Sequence, residues 1–98
     1  MKRLLTKFNK FEDEFELMKR TDKIAMYKRI NNETGNISGY EVFKIKFAIK
    51  DFIINGDTIQ SIGDEIYPCS EDFGKIAWMY NNYNRVNDKY KKLIGEII

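Results

Sequence analysis

A chain of 98 residues that is 43% hydrophobic and 14% aromatic has the material for one buried core and too little length for two. The aromatic content excludes disorder, and 17 basic against 15 acidic residues, a formal net charge of +2, argues against a domain driven by nucleic-acid charge. With no histidine and a single cysteine, Cys69, the chain has no Ser–His or Cys–His nucleophile pair, no internal disulfide and few routes to a transition-metal site.

Met1-Lys2-Arg3-Leu4-Leu5 opens in the manner of a secretory leader, but Lys7, Asn9 and Lys10 interrupt the apolar stretch. No run approaches the ~18–20 apolar residues of a membrane span. The expectation is therefore a protein that is neither secreted nor membrane-inserted. Leu4, Phe8, Phe11, Phe15 and Met18 alternate spacings of four and three, a helical stripe, so residues 1–13 read as an N-terminal arm or short helix. An antiparallel sheet of four to six strands is expected over 14–80. Its first strand runs from about Glu14 to Arg20, and a second covers Lys23–Ile30 after the Thr21-Asp22 turn, with Ile24 and Met26 alternating against Ala25 and Tyr27.

Beyond the turn-forming Asn31-Asn32-Glu33-Thr34-Gly35-Asn36, Phe43, Ile45 and Phe47 share one face of a strand and Lys44 and Lys46 the other. Asn55-Gly56 between β-branched runs signals a tight hairpin, because the turn needs positive φ at its centre. Ser70-Glu71-Asp72-Phe73 reads as one helical turn capped by Ser70 and ended by Gly74. Lys75–Tyr80 is a further strand. Asn81-Asn82 caps a helix over 82–95, whose stripe of Val86, Tyr90, Leu93, Ile94 and Ile97 needs an apolar partner surface. The Phe43, Ile45, Phe47 face is the expected one. The fold class that results is α+β: an antiparallel sheet with a C-terminal helix packed on one face, in a single domain spanning 1–98.

The order of Glu14-Phe15-Glu16-Leu17-Met18-Lys19-Arg20, Ile24-Ala25-Met26-Tyr27-Lys28, Gly39-Tyr40-Glu41-Val42-Phe43-Lys44-Ile45, Tyr67-Pro68, Glu71-Asp72-Phe73-Gly74-Lys75, Ala77-Trp78 and a helix with Lys89-Tyr90 and Leu93 resembles small uncharacterised proteins of tailed bacteriophages. The resemblance implies a viral origin, and with it the host-cell cytoplasm or the virion as location. It brings no activity and no site residues. Phe73-Gly74-Lys75 before a strand and helix is also similar to the WGR nucleic-acid-binding module, although Phe stands for Trp and Lys for Arg.

Cys69 reads as a buried or half-buried filler. The acids Asp51, Asp57, Asp64, Glu65, Glu71 and Asp72 lack calcium-loop spacing and read as caps, turns and solvated edges, so no metal and no cofactor are expected. Two surfaces stand out. Leu4, Leu5, Phe8 and Phe11 are many apolar groups for a short segment, and either anchor a partner chain or pack on their own domain. Tyr27, Arg29, Tyr40, Lys44 and Lys46 interleave bases with aromatics and could bind single-stranded nucleic acid on an open sheet, or could line an ordinary solvated face. The reading that follows is a non-enzymatic, phage-type protein whose partner is another protein, phage or host, or itself, with no small-molecule substrate. Its role would be in virion assembly or in inhibiting a host factor. The alternative is a nucleic-acid-binding module.

Overall fold

The computed structural model describes residues 2–97. Met1, at the head of the leader-like start, and the Ile97 side chain, at the end of the expected helical stripe, lie outside the described residues. In chain order the elements are β1 (Lys7–Lys10), β2 (Asp13–Arg20), β3 (Ile24–Asn31), β4 (Ile37–Lys44), β5 (Lys46–Phe47), β6 (Phe52–Ile54), β7 (Asp57–Gln60), β8 (Glu65–Ile66), a 3₁₀ turn Ser70–Asp72, β9 (Ala77–Tyr80) and α1 (Tyr83–Ile97). Five strands form one antiparallel sheet in the order β1-β2-β3-β4-β9, and α1 packs on one of its faces, giving the α+β fold. β5 with β8 and β6 with β7 make separate two-stranded ribbons, inserted between β4 and β9.

The sheet is covered on both faces, and β3 and β4 serve two cores. Ile24, Met26 and Val42 meet Val86, Tyr90 and Leu93 of the helix. Phe15, Ala25, Tyr27, Phe43, Ile45 and Ala77 form the opposite core. The helical stripe is therefore as expected, but its partner is not the Phe43, Ile45, Phe47 face. The two-residue link Asn81-Asn82 turns α1 onto the side of Trp78 and Tyr80, whose register partners are Val42 and Tyr40. Successive side chains on β4 point to opposite faces, so Phe43 is directed away. Phe47 lies in β5 and is exposed.

The second core explains the N-terminus, where the structure corrects the helix or free arm expected over 1–13. Lys7–Lys10 is a strand, and its Phe8 lies opposite Phe15 with rings stacked 4.9 Å apart. The spacing of four and three is compatible with a helix, but strand pairing satisfies the open edge of β2, whose apolar face at Phe15 also needs a cover. Leu4, Phe8 and Tyr67 supply it, with Tyr67 edge-on to Phe8, Phe15 and Phe43. Backbone bonds lock the segment in place. Leu17 N–H donates to Thr6 O at 2.8 Å, Glu65 N–H to Lys2 O at 2.8 Å, and the Tyr27 hydroxyl to Leu5 O at 2.6 Å. Phe11 takes the β1–β2 turn at φ 59°, a region that non-glycine residues seldom occupy.

Two smaller expectations shift. The 3₁₀ turn is capped at Cys69, not Ser70: the Asp72 carboxylate accepts from Cys69 N–H at 3.0 Å, and the cysteine is exposed, not buried. The helix continues through Gly95 to Ile97, begun by the Asn82 side chain accepting from Asn84 N–H at 2.8 Å.

Candidate functional site

The most unusual surface is the β6–β7 ribbon with its flanks. Asn55 and Gly56 both hold positive φ, 52° and 82°, so β6 and β7 are joined by the tight turn the Asn-Gly pair dictates. Between Phe47 and Gly63 only Lys50, Asp51 and Asp57 are charged. Phe52, Ile53 and Ile54 of β6 are all exposed, as are Ile59 of β7 and the flanking Phe47, Ile49 and Ile62. These seven apolar side chains are each 41–89% open to solvent. Scattered exposed hydrophobics are ordinary; a contiguous apolar element with both faces open is not.

The stem of the ribbon is well fixed. Ala48 N–H donates to Asp64 O at 2.9 Å, and Gly63 N–H to Ala48 O at 2.8 Å. The Asp64 carboxylate accepts from Lys2 N–H at 2.7 Å and Ser61 N–H at 2.9 Å, which hold its pKa below the usual range. Next to it, Arg20 grips Glu65 with two bonds of 2.7 and 2.6 Å. That pairing brings the Glu65 carboxyl down to about 2. The N-terminal segment thus anchors the base from which the ribbon projects.

A second feature is a cleft of about 580 Å³ on the sheet face away from the helix, with Phe11, Phe15, Tyr67, Phe73 and Met79 among its walls. Asp13, Arg29, Glu41 and Tyr67 form a network in its floor. The Arg29 guanidinium donates to Asp13 Oδ2 at 2.7 and 3.1 Å and to Glu41 Oε2 at 3.3 Å, and the Tyr67 hydroxyl donates to Glu41 Oε1. Burial pushes the Glu41 carboxyl up, opposed by the Tyr67 bond and the Arg29 charge; burial also raises the Tyr67 phenol, as does the Glu41 charge. Among the described residues no buried side-chain nitrogen or oxygen lacks a partner, so the network is directed inward. It holds β2, β3 and β4 to the segment that carries Tyr67.

The residues singled out from the sequence are redistributed. Leu4 and Phe8 pack on the second core, whereas Leu5 and Phe11 face solvent, 64% and 85% exposed. The basic-aromatic set does not share a face. Tyr27 is fully buried and Arg29 sits beside it on the cleft side, while Tyr40 and Lys44 point to the helix side; Lys46 lies in β5, donating to Asp72 Oδ2 at 3.0 Å. Period-2 alternation carries this split, since Tyr27 pairs with Glu41 and Lys28 with Tyr40. The ribbon is not among the surfaces expected from the sequence, although the sequence carries a signal for it. Phe52-Ile53-Ile54 shows no polar alternation, so burying one face of that strand leaves the other apolar and uncovered.

No protein-family model matches the chain, and no curated protein or solved structure matches it either. Among the described residues no helix is long and apolar enough to cross a membrane, and no three acidic or cysteine side chains gather as metal ligands would.

Proposed function

We propose that this is a small non-enzymatic protein of phage type that works by protein–protein contact, as an assembly component or as an inhibitor of a host factor, and that the β6–β7 ribbon is the contacting element. One observation carries the reading: a projecting, nearly uncharged ribbon with apolar side chains open on both faces. An isolated two-stranded hairpin is marginally stable in water, and covering this one would remove apolar area at roughly 25 cal/mol per Å². The rigid stem keeps the ribbon away from the domain's own cores, which α1 on one side and the N-terminal segment with Tyr67 on the other already cover. The phage setting rests on the sequence resemblance alone.

The test uses the full chain and an Ile53→Asp/Ile59→Asp variant, both checked for an unchanged melt. Each is used as bait in extracts of candidate host cells, and any captured protein is identified, purified and titrated against both. A purified partner, or a defined self-assembly, that the wild type binds and the variant does not would support the reading. Partners bound equally by both would refute it.

A further inference from the structure

We infer that the ribbon's partner is the ribbon of a second copy of this chain, paired antiparallel along the open edge of β6 about a two-fold axis at Ile53. The inference rests on the reading of the ribbon as the contacting element and adds the identity of what covers it.

The two edges of the ribbon differ. On β7, Phe52 pairs with Gln60 and Ile53 with Thr58, so Ile59 is an extra residue bulged out of the ladder, and Asp57 places a charge on the same strand. A bulge and a charge are the usual means by which proteins spoil an edge for further pairing. β6 carries neither. It is regular and uncharged over Phe52-Ile53-Ile54, and its far side has no neighbour among the described residues.

The edge is also self-complementary. Ile54 and Asp57 flank the two-residue turn and face each other across the ribbon, so alternation turns the N–H and C=O of Ile53 to the open side. Two copies related by a two-fold axis at Ile53 would exchange those groups. Phe52 of each would lie opposite Ile54 of the other, aromatic against β-branched, a favourable cross-strand combination. Asp51 would fall opposite Asn55 and Lys50 opposite Gly56, so no like charges meet. Such an isologous contact closes on itself as a dimer and does not propagate. The contact would cover the open β6 edge and the side chains it carries, Phe52, Ile53 and Ile54, which are 47–60% open to solvent.

Sedimentation velocity of the full chain over a wide concentration range is the test, with Ile53→Lys and Thr58→Lys as variants. Both positions are exposed, and retention of the fold is checked by circular dichroism. The wild type is expected to dimerise reversibly. Ile53→Lys, which sets two ammonium groups against each other on the axis, should weaken the dimer on the order of 100-fold. Thr58→Lys, on the bulged edge, should leave it within about threefold, as a surface change does. Hydrogen exchange on the wild type gives a readout free of any variant: the Ile53 amide should gain protection as concentration rises. A chain that stays monomeric with a freely exchanging Ile53 amide overturns the inference, and so does a dimer that Thr58→Lys breaks and Ile53→Lys spares. A monomer whose ribbon still binds a different purified protein, and loses it in Ile53→Asp/Ile59→Asp, overturns self-pairing but leaves the proposed function standing. A monomer with no ribbon-dependent partner overturns both.

Discussion

Phe8→Ala decides whether the N-terminal segment belongs to the core. Phe8 is partly buried against the second core and contacts three rings: stacked on Phe15 at 4.9 Å, and edge-on to Tyr27 at 5.6 Å and Tyr67 at 5.4 Å. Truncating a fully buried Phe to Ala costs about 3–5 kcal/mol. Partial exposure lowers that figure, and loss of aromatic pairing, about 0.5–1.5 kcal/mol per pair, raises it again. The expected cost is about 2–4 kcal/mol, against a total of ~5–15 kcal/mol for a domain of ordinary stability. At 4–8 °C per kcal/mol this lowers the melting temperature by roughly 8–32 °C. Urea unfolding with a fitted m-value measures it, and Leu5→Ala is the control. Leu5 lies in the same segment but is mostly exposed, and should change stability by no more than about 0.5 kcal/mol. If Phe8→Ala matches Leu5→Ala, the segment is a loosely held arm and the packing described here is wrong.

Three further outcomes are expected. Phe43→Ala should cost about 3–5 kcal/mol, yet add to Val86→Ala within ~0.5 kcal/mol in a double-mutant cycle, because the two residues lie in different cores; Val42→Ala with Val86→Ala, in one core, should show coupling of at least ~0.5 kcal/mol. Glu65 is held at about 2, below its ordinary 4.5, so its contribution is complete above pH ~4.5 and is lost as the pH falls toward ~2; urea midpoints across that window should decline, and less steeply in Glu65→Gln. Treatment with EDTA should leave the thermal melt unchanged, since no three acidic or cysteine side chains among the described residues gather as metal ligands would; a fall in the melt would reveal a bound cation.

Elements with local signals are legible in the residues alone. Asn55-Gly56 allows little but a tight hairpin, because both residues must hold positive φ. Asn82 begins the last helix, whose Val86, Tyr90 and Leu93 stripe is buried as its spacing requires. Alternation placed β3 and β4 as strands. What alternation leaves open is which face meets which cover, because β3 and β4 are apolar on both sides; the short link at Asn81-Asn82 made that choice by turning the helix toward Val42, away from Phe43. The N-terminal stripe, equally good as helix or strand, became a strand, which sets Phe8 beside Leu4 and Tyr67 over Phe15 and Tyr27. Exposure itself belongs to the tertiary structure. Phe52-Ile53-Ile54 looks like core in the sequence, and is surface because both cores were filled by other segments, leaving the ribbon outside with nothing among the described residues to cover it.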